Sequence, residues 1–306
     1  MCQKTRISLI YNKLYIEINM ICDFQTNKVY LAEGIKHYET VAYHLLMALY
    51  NEGIPTEYLR HTESWKHIWV RDYMPIQLTK TRFLQYRYAP DYLKGYEDYI
   101  PPYQTICRGL RLKGKETPLV IDGGNVVKFR HCVVMTDKVI RENPGYTEGY
   151  IRKHLEESFG CEVVLIPWDR YEMFGHADGM VRSIGDGYLL LNNYADFDKD
   201  LGKHLRSALG GRFCVEELHY DVPRPSRLSW AYLNFLQINN CIFVPGLGVR
   251  EDEQAVVQLE KYYPHHKVIL VPGCQDLVRE GGALNCVTWN ILADEPKKPK
   301  EEAEQL

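Results

Sequence analysis

A cysteine, a histidine and several acidic residues, most of them beside glycine, could together perform thiol-based hydrolysis. Cys286 ends the stretch 280–286 (EGGALNC), and His176 lies in 175–179 (GHADG). A free thiol has a pKa of about 8.5 and is mostly protonated at neutral pH, so it needs a basic or cationic neighbour to become a nucleophile. The chain offers one candidate for each of these roles.

His176 is the candidate general acid and base, because an unperturbed pKa near 6.5 lets an imidazole give and take one proton near neutrality. We expect the motif to open a strand, in which His176 and Asp178 would face the same side. Two alternatives remain open from the residues alone. The histidine could be structural, or His176 and Asp178 could be metal ligands, although no third ligand stands out at a suitable spacing.

Asp72 in 69–72 (WVRD) and Asp178 are candidates for binding a cation, since two carboxylates match the forked donors of a guanidinium. Asp72 could instead form a surface salt bridge with Arg71, and Asp178 could be a turn residue before Gly179. Asp122 in 122–125 (DGGN) could orient His176 through a hydrogen bond. Asn234 could supply a polar contact at the site or hold a loop.

Cys286 competes with the other members of a set of nine cysteines, none of which form CxxC pairs. The odd count and the scattered positions argue against a disulfide framework or a structural zinc site, and they fit a reducing cytoplasm. Four of the others lie in apolar, strand-like segments and are typical of small core residues: Cys132, Cys214, Cys241 and Cys274. Only Cys286 follows a Glu-Gly-Gly turn, which makes it the preferred nucleophile.

The composition is that of an ordinary globular protein. The 306 residues are 45% hydrophobic and 25% charged, with a formal net charge of −3, so no basic surface for nucleic acid is indicated. No segment resembles a signal peptide or a membrane-spanning helix. We expect a poorly predicted N-terminal extension (1–27, with Met20 as an alternative start), one catalytic domain (28–292) and a charged tail (293–306). The expected location is cytoplasmic, with a homo-oligomer possible.

The candidate residues recur at near-constant intervals. Positions 72, 122, 176, 234 and 286 are separated by 50, 54, 58 and 52 residues. Apolar periodicity predicts four amphipathic helices, near 41–49, 151–159, 201–209 and 255–262, each followed by a strand-like stretch and then by a motif. This period indicates a repeat architecture of the propeller type, in which one polar residue per unit reaches a shared axis. A doubly wound α/β sheet with chance spacing is the alternative.

Taken together, the motifs WVRD, DGGN, GHADG, YLN (232–234) and GG…C (281–286) resemble the guanidine-modifying enzyme superfamily. The resemblance is greatest to its agmatine deiminase and porphyromonad-type peptidylarginine deiminase branch, and it extends from about Lys28 to Leu292. It implies a five-bladed α/β propeller (a pentein-like fold) with the active site on its axis, no metal and no organic cofactor.

The resemblance also implies a reaction. The Cys286 thiolate would attack the carbon of a guanidinium held by Asp72 and Asp178, His176 would protonate the departing ammonia, and water would hydrolyse the thiouronium intermediate. Asp122 would keep the ring of His176 oriented, and Trp69 and Asn234 would belong to the substrate-binding set. Agmatine would give N-carbamoylputrescine, an intermediate on the way to putrescine, and arginine or peptidyl-arginine would give citrulline.

Three features differ from agmatine deiminases. Tyr73-Met74-Pro75 follows the Arg-Asp pair where those enzymes carry a small residue and Gly-Pro. Asn285 stands where those enzymes carry a histidine before the nucleophile, and a segment with six tyrosines, 86–103, stands where they carry Asn-x-Trp-Gly. The segment is either a substrate-reading lid, in which Arg87 could pair with a substrate carboxylate, or a packed connection. The same residues could serve an amidinotransferase or a non-catalytic guanidine-binding propeller. A cysteine protease is more remote, because no oxyanion-hole signature is found.

Overall fold

The computed structural model describes residues 20–294; residues 1–19 and 295–306 lie outside it. Most of the predicted N-terminal extension and nearly all of the predicted charged tail therefore fall outside the described residues. No helix within 20–294 has the length and apolar character needed to cross a bilayer. The domain boundaries at 27 and 292 stay predictions.

Short strands dominate the described part of the chain. In chain order they are β1 Lys28–Ala32, β2 Thr56–Leu59, β3 Ile76–Thr79, β4 Arg82–Arg87, β5 Gly114–Val120, β6 Val127–Lys128, β7 Cys132–Thr136, β8 Glu162–Ile166, β9 Val181–Gly185, β10 Tyr188–Leu191, β11 Cys214–Glu217, β12 Leu236–Ile238, β13 Cys241–Pro245, β14 Lys267–Val271 and β15 Trp289–Ile291.

Helices occupy the segments between many of these strands. They are α1 Glu39–Asn51, α2 Val70–Tyr73, α3 Tyr103–Gly109, α4 Lys138–Glu142, α5 Glu148–Phe159, α6 Tyr194–Phe197, α7 Lys199–Leu209, α8 Glu251–Tyr262 and α9 Gln275–Arg279. The four helices predicted from apolar periodicity are present as α1, α5, α7 and α8, and each buries its apolar positions against a sheet.

The strands form five three-stranded sheets with one repeated topology: β15-β1-β2, β3-β4-β5, β6-β7-β8, β9-β10-β11 and β12-β13-β14. In each sheet the middle strand pairs antiparallel with one neighbour and parallel with the other. The parallel pair is connected through a helix, because parallel strands need a long crossover. The five-bladed α/β propeller is thus confirmed, and the doubly wound sheet is wrong.

The first blade joins the two ends of the described chain. Strand β15 pairs antiparallel with β1, with Val29 opposite Asn290 and Tyr30 opposite Trp289. The ring therefore closes only when the last strand has been added. The blade whose helix was not evident from the sequence is the second. Its helix is the short α3, which follows Pro101 and Pro102 and has too few turns to show apolar periodicity.

The five motifs lie in turns that precede the first strand of a blade, and not within strands as the sequence suggested. Most of WVRD lies in the single helical turn α2, for which Trp69 is the N-cap, while DGGN and GHADG form 3₁₀ turns at Gly123–Asn125 and Ala177–Gly179. The expectation that His176 and Asp178 share one face of a strand is therefore wrong. A tight turn brings both side chains to the axis instead.

A buried charge cluster ties the segment before β1 to the propeller. The Asp23 carboxylate lies 2.9 Å from Lys128 Nζ and 3.4 Å from Arg182 Nη1, and all three side chains are at most 14% exposed. Burial alone raises the pKa of Asp23, but Lys128, Arg71 and Arg182 outweigh burial and hold that pKa well below its ordinary value. The cluster therefore favours the folded state while Asp23 is ionised.

Replacing Asp23 with Asn should lower the free energy of unfolding by about 3 kcal/mol, because it leaves two buried cations without their shared partner. The folded pKa of Asp23 lies below the unfolded value of about 3.9, so the stabilisation is present above that pH and is lost as the pH falls through the folded pKa. Urea unfolding of the wild type and the variant, at neutral pH and in acid, measures both effects.

The matched control is Asp200→Asn, which removes a carboxylate from an exposed pair with Lys203. Its urea midpoint should stay at the wild-type value. Equal stability of Asp23→Asn and the wild type at neutral pH would contradict a stabilising role for the cluster.

Candidate active site

The five motif turns are joined to one another by hydrogen bonds around the propeller axis. Gly124 N donates to Asp72 Oδ1 (3.1 Å), and Asp122 Oδ2 lies 2.9 Å from His176 Nε2. Asn285 Nδ2 donates to Asp178 Oδ2 (2.6 Å). Two main-chain donors complete the ring: Cys286 N donates to Asn234 Oδ1 (3.2 Å) and Arg71 N to Cys286 O (3.0 Å). Residues more than 200 positions apart thereby form one site.

Two glycines fix the turn that carries the candidate nucleophile. Gly281 has φ +92°, and a Cβ there would lie 2.1 Å from the Phe174 ring. A Cβ on Gly282 would lie 2.1 Å from the Trp69 ring. No larger residue fits at either position without moving an aromatic side chain, so the two glycines let the chain pass close to the axis. Cys286 follows them and is buried, with Sγ 3.8 Å from Asp178 Oδ2.

The imidazole of His176 lies between two carboxylates. Nε2 is 2.9 Å from Asp122 Oδ2, and Nδ1 is 3.6 Å from Asp72 Oδ1. Gly124 makes this arrangement possible, because a Cβ there would lie 2.6 Å from Nδ1 and 2.7 Å from Asp72 Oδ1. The DGGN motif thus supplies both an acid for the histidine and the space in which the ring sits.

Burial and the surrounding carboxylates set the charge of each group. Burial alone lowers the pKa of His176, but Asp72 and the hydrogen bond to Asp122 outweigh burial and raise that pKa to about 9. Burial, with the nearby Asp122 and Asp178, raises the pKa of Asp72 to about 7 against the opposing effect of His176. At neutral pH the ring is therefore protonated, and both of its nitrogens are donors.

The thiol of Cys286 is held in its protonated form. Burial raises its pKa well above the ordinary value, and the negative charges of Asp178 and Asp72 raise it further. A cation placed between those two carboxylates would remove the electrostatic part of this effect. A bound cation would thus lower the pKa of this thiol by offsetting the two carboxylates, while burial would continue to raise it.

The remaining predicted residues divide into two groups. Trp69 lines the cavity above Cys286, and Asn234 accepts from the main-chain N–H of Cys286. Arg87 is not brought to the site. It is exposed at the end of β4, between the buried Tyr86 and Tyr88, because side chains alternate along a strand. Its assignment to a substrate carboxylate therefore has no support in the geometry.

Asn285, which differs from the histidine of agmatine deiminases, takes part in the hydrogen-bond ring. Its amide nitrogen donates to Asp178, and its main-chain carbonyl accepts from Arg71 Nε (3.2 Å). Its buried Oδ1 has no hydrogen-bond partner. The asparagine can therefore position Asp178 but cannot supply a titratable proton.

Two cavities open from Cys286 and His176. The acidic cavity (≈ 210 Å³) is lined by residues that include Asp169, Glu172, Asp178, Asn192 and Arg227. The aromatic cavity (≈ 510 Å³) is lined by Asp72 and by aromatic side chains that include Trp65, Trp69, Tyr88, Tyr92, Tyr96 and Tyr99. Phe174 and Gly281 belong to both walls and stand between the two cavities.

Sequence reasoning missed Glu172. It lies four residues before His176 and lines the acidic cavity, where burial, with Asp169, raises its pKa to about 7. Glu172 lies in an irregular loop, where no apolar periodicity indicates which side chains face inward. Its closeness in sequence to GHADG is the one signal that could have identified it.

Lys138 was also missed. Its side chain is 2% exposed, and its ammonium lies 2.5 Å from Glu142, 3.0 Å from Asp91 and 4.9 Å from the centre of the Tyr92 ring. This buried cation fixes the tyrosine-rich segment against the third blade. Within residues 20–294, no group of three or more His, Cys, Asp or Glu side chains is arranged to hold a metal ion.

Comparison with known proteins identifies the same family that the sequence motifs resemble. The profile of the Porphyromonas-type peptidyl-arginine deiminase family matches residues 6–291. An agmatine deiminase of Medicago truncatula is 26% identical over 56% of this chain and 56% of its own length. An agmatine deiminase of Pseudomonas putida is 28% identical over 61% of this chain and 58% of its own length. These matches thus span less than two thirds of either curated relative.

Solved structures share the fold. The agmatine deiminase of Enterococcus faecalis superimposes with a TM-score of 0.68 at 18% identity, over 90% of this chain and 95% of the other. At this identity the likeness establishes the propeller and not the substrate.

The free protein should show no Cys286 thiolate at neutral pH, and a guanidinium ligand should produce one by offsetting Asp72 and Asp178. The measurement is the ultraviolet thiolate absorbance of the wild type minus that of Cys286→Ala, titrated from pH 6 to 10 with guanidinium chloride or with urea. Urea is the control, because it has a similar shape and no charge. A thiolate signal at pH 7 without ligand, or equal effects of the two ligands, would contradict this account.

Proposed function

The chain belongs to the Porphyromonas-type peptidyl-arginine deiminase family, and on that premise we propose that it hydrolyses the guanidinium group of a small substrate and releases ammonia. The observation that carries the proposal is the ring of hydrogen bonds that sets a thiol, a protonated imidazole and two cation-binding carboxylates around one axis. A cytoplasmic location remains part of the proposal.

In the first half of the proposed reaction, the guanidinium lies between Asp72 and Asp178. Its charge favours ionisation of Cys286, which releases its proton to solvent, and the resulting thiolate attacks the guanidinium carbon. The C–S bond forms, one C–N bond breaks, and the departing nitrogen takes a proton from His176 to leave as ammonia. A thiouronium group remains on Cys286, and His176 is left neutral.

In the second half, His176 takes a proton from water, which attacks the thiouronium carbon. The C–S bond breaks, and the second proton of that water passes to the departing sulfur, so a ureido product leaves and Cys286 is restored as a thiol. The hydrogen bond from Nε2 to Asp122 keeps the ring oriented and stabilises its protonated form. Nδ1 therefore donates the proton in the first half and accepts one in the second. Burial excludes bulk water from the covalent intermediate.

The acidic cavity supports a substrate with a cationic tail. Asp169 and Glu172 lie close enough for their negative charges to repel each other, and a bound ammonium would relieve that repulsion. We therefore favour agmatine over arginine, whose α-carboxylate would meet these acids. Arg227, in the same wall, stacks on Tyr171 at 4.1 Å from the ring centre and forms part of the cavity mouth.

The direct test is ammonia release from agmatine, free arginine, a peptide with C-terminal arginine and one with internal arginine. Cys286→Ala should lower turnover of the preferred substrate at least about 10³-fold, because it removes the bond-forming atom. Cys161→Ala, at another buried cysteine, is the matched control and should stay active. Full ammonia release by Cys286→Ala would exclude the covalent route, and no release from any of these guanidines would exclude the proposed deiminase activity.

Glu172→Gln should raise the KM for agmatine about 10- to 100-fold, because a charge-assisted contact with the tail ammonium is lost. It should leave the KM for 1-butylguanidine, which has the same chain without the amine, at the wild-type value. Steady-state kinetics with both substrates measures the difference, and Glu116→Gln, on an exposed strand position, is the control. Equal effects on the two substrates would remove Glu172 from the tail-binding role.

A further inference from the structure

The aromatic cavity is the largest feature of the site that hydrolysis of a simple guanidine does not use. At ≈ 510 Å³ it is more than ten times the roughly 30 Å³ that a water molecule occupies in the liquid. Ammonia is of similar size to water. The need to let ammonia leave and water enter therefore does not account for this volume.

The aromatic cavity meets the reacting groups on the side of the departing nitrogen. Nε2 of His176 is engaged by Asp122, so the proton for the leaving group must come from Nδ1, which lies 3.6 Å from Asp72 Oδ1. Asp72 lines the aromatic cavity, whereas Asp178 lines the acidic one. The leaving nitrogen therefore departs toward the aromatic cavity.

Phe174 keeps the two cavities apart. A Cβ on Gly281 would lie 2.1 Å from its ring, and Tyr92 packs edge-on against it with ring centres 4.9 Å apart. A substrate tail in the acidic cavity and a group in the aromatic cavity would thus lie on opposite sides of the Phe174 ring. They would share only the guanidinium between them.

We propose that the aromatic cavity is a leaving-group subsite for an uncharged aromatic or apolar substituent, so that the protein hydrolyses N,N′-disubstituted guanidines. This inference rests on the proposed function. Cys286 attacks the guanidinium carbon, the bond to the substituted nitrogen breaks, and that nitrogen takes the proton of His176 Nδ1. An amine leaves in place of ammonia, and water then converts the thiouronium group to the same ureido product as before.

The charges around the aromatic cavity favour an uncharged group. Lys66 is paired with Asp98 and lies over the rings of Trp65 and Tyr99, so the faces of these two rings that could attract a cation are already occupied. Glu280, in the same wall, accepts from the hydroxyl of Tyr38 (2.6 Å). The other groups that face the space are mainly aromatic faces and edges, which bind rings and alkyl chains.

The tyrosine-rich segment builds much of the wall. Tyr88, Tyr92, Tyr96 and Tyr99 all come from 86–103, the segment that replaces the agmatine deiminase sequence, and Lys138 holds it through Asp91. The segment that departs from the agmatine deiminase pattern therefore supplies four of the rings that line the aromatic cavity.

The test uses agmatine with hydrogen, methyl, butyl or benzyl on the terminal guanidine nitrogen. We expect release of the matching amine, absent in Cys286→Ala, with kcat/KM rising about fourfold per added methylene and the benzyl compound at least tenfold better than methyl. Tyr96→Ala, at an exposed position of the wall, should reduce the benzyl-to-methyl ratio several-fold. Tyr50→Ala, an exposed tyrosine on α1, should leave that ratio at its wild-type value.

Turnover of agmatine without release of benzylamine from the benzyl compound would overturn this inference and leave the proposed function intact. So would release of ammonia from the benzyl compound, since the substituent would then lie elsewhere. If agmatine itself is not hydrolysed, calorimetry with benzylguanidinium and guanidinium still tests whether the subsite exists. Tenfold tighter binding of benzylguanidinium that is lost in Tyr96→Ala supports the subsite, and equal affinity overturns it.

Discussion

The hydrogen bonds between motif turns are the interaction on which the site depends. Gly124 donates to Asp72, His176 donates to Asp122 and Asn285 donates to Asp178, so turns of different blades are linked. No blade contains a complete set of reacting groups. The thiol of Cys286, the imidazole of His176 and the nearby carboxylates therefore acquire their geometry only when the propeller closes through β15 and β1.

Concentrating carboxylates in a buried site has an electrostatic cost that the surrounding structure must offset. The apolar sheets and helices bury these carboxylates, and His176 supplies the nearest positive charge. The carboxylates in turn raise the pKa of His176 to about 9, against the effect of burial. The same carboxylates keep Cys286 protonated. A site with this surplus of negative charge is complementary to a cation.

The ring of turns and most of the cavity walls come from different segments of the chain. Asn285 and the tyrosine-rich segment depart from the agmatine deiminase pattern, yet the hydrogen bonds around the axis are complete with them in place. The acidic cavity is formed by loops of the third and fourth blades, and the aromatic cavity largely by the second. The motif turns thus supply the groups at the axis, and the loops around them supply most of the walls of the two cavities.

The sequence by itself determined the helices α1, α5, α7 and α8, the order of the motifs and the fivefold repeat, because apolar periodicity and turn glycines are local signals. Only the tertiary structure decided that His176 and Asp178 lie in a turn, that Arg87 faces solvent and that Glu172 faces the site. Which way a side chain points depends on the neighbours that pack against it. Those neighbours come from distant blades, and closure of the ring fixes them.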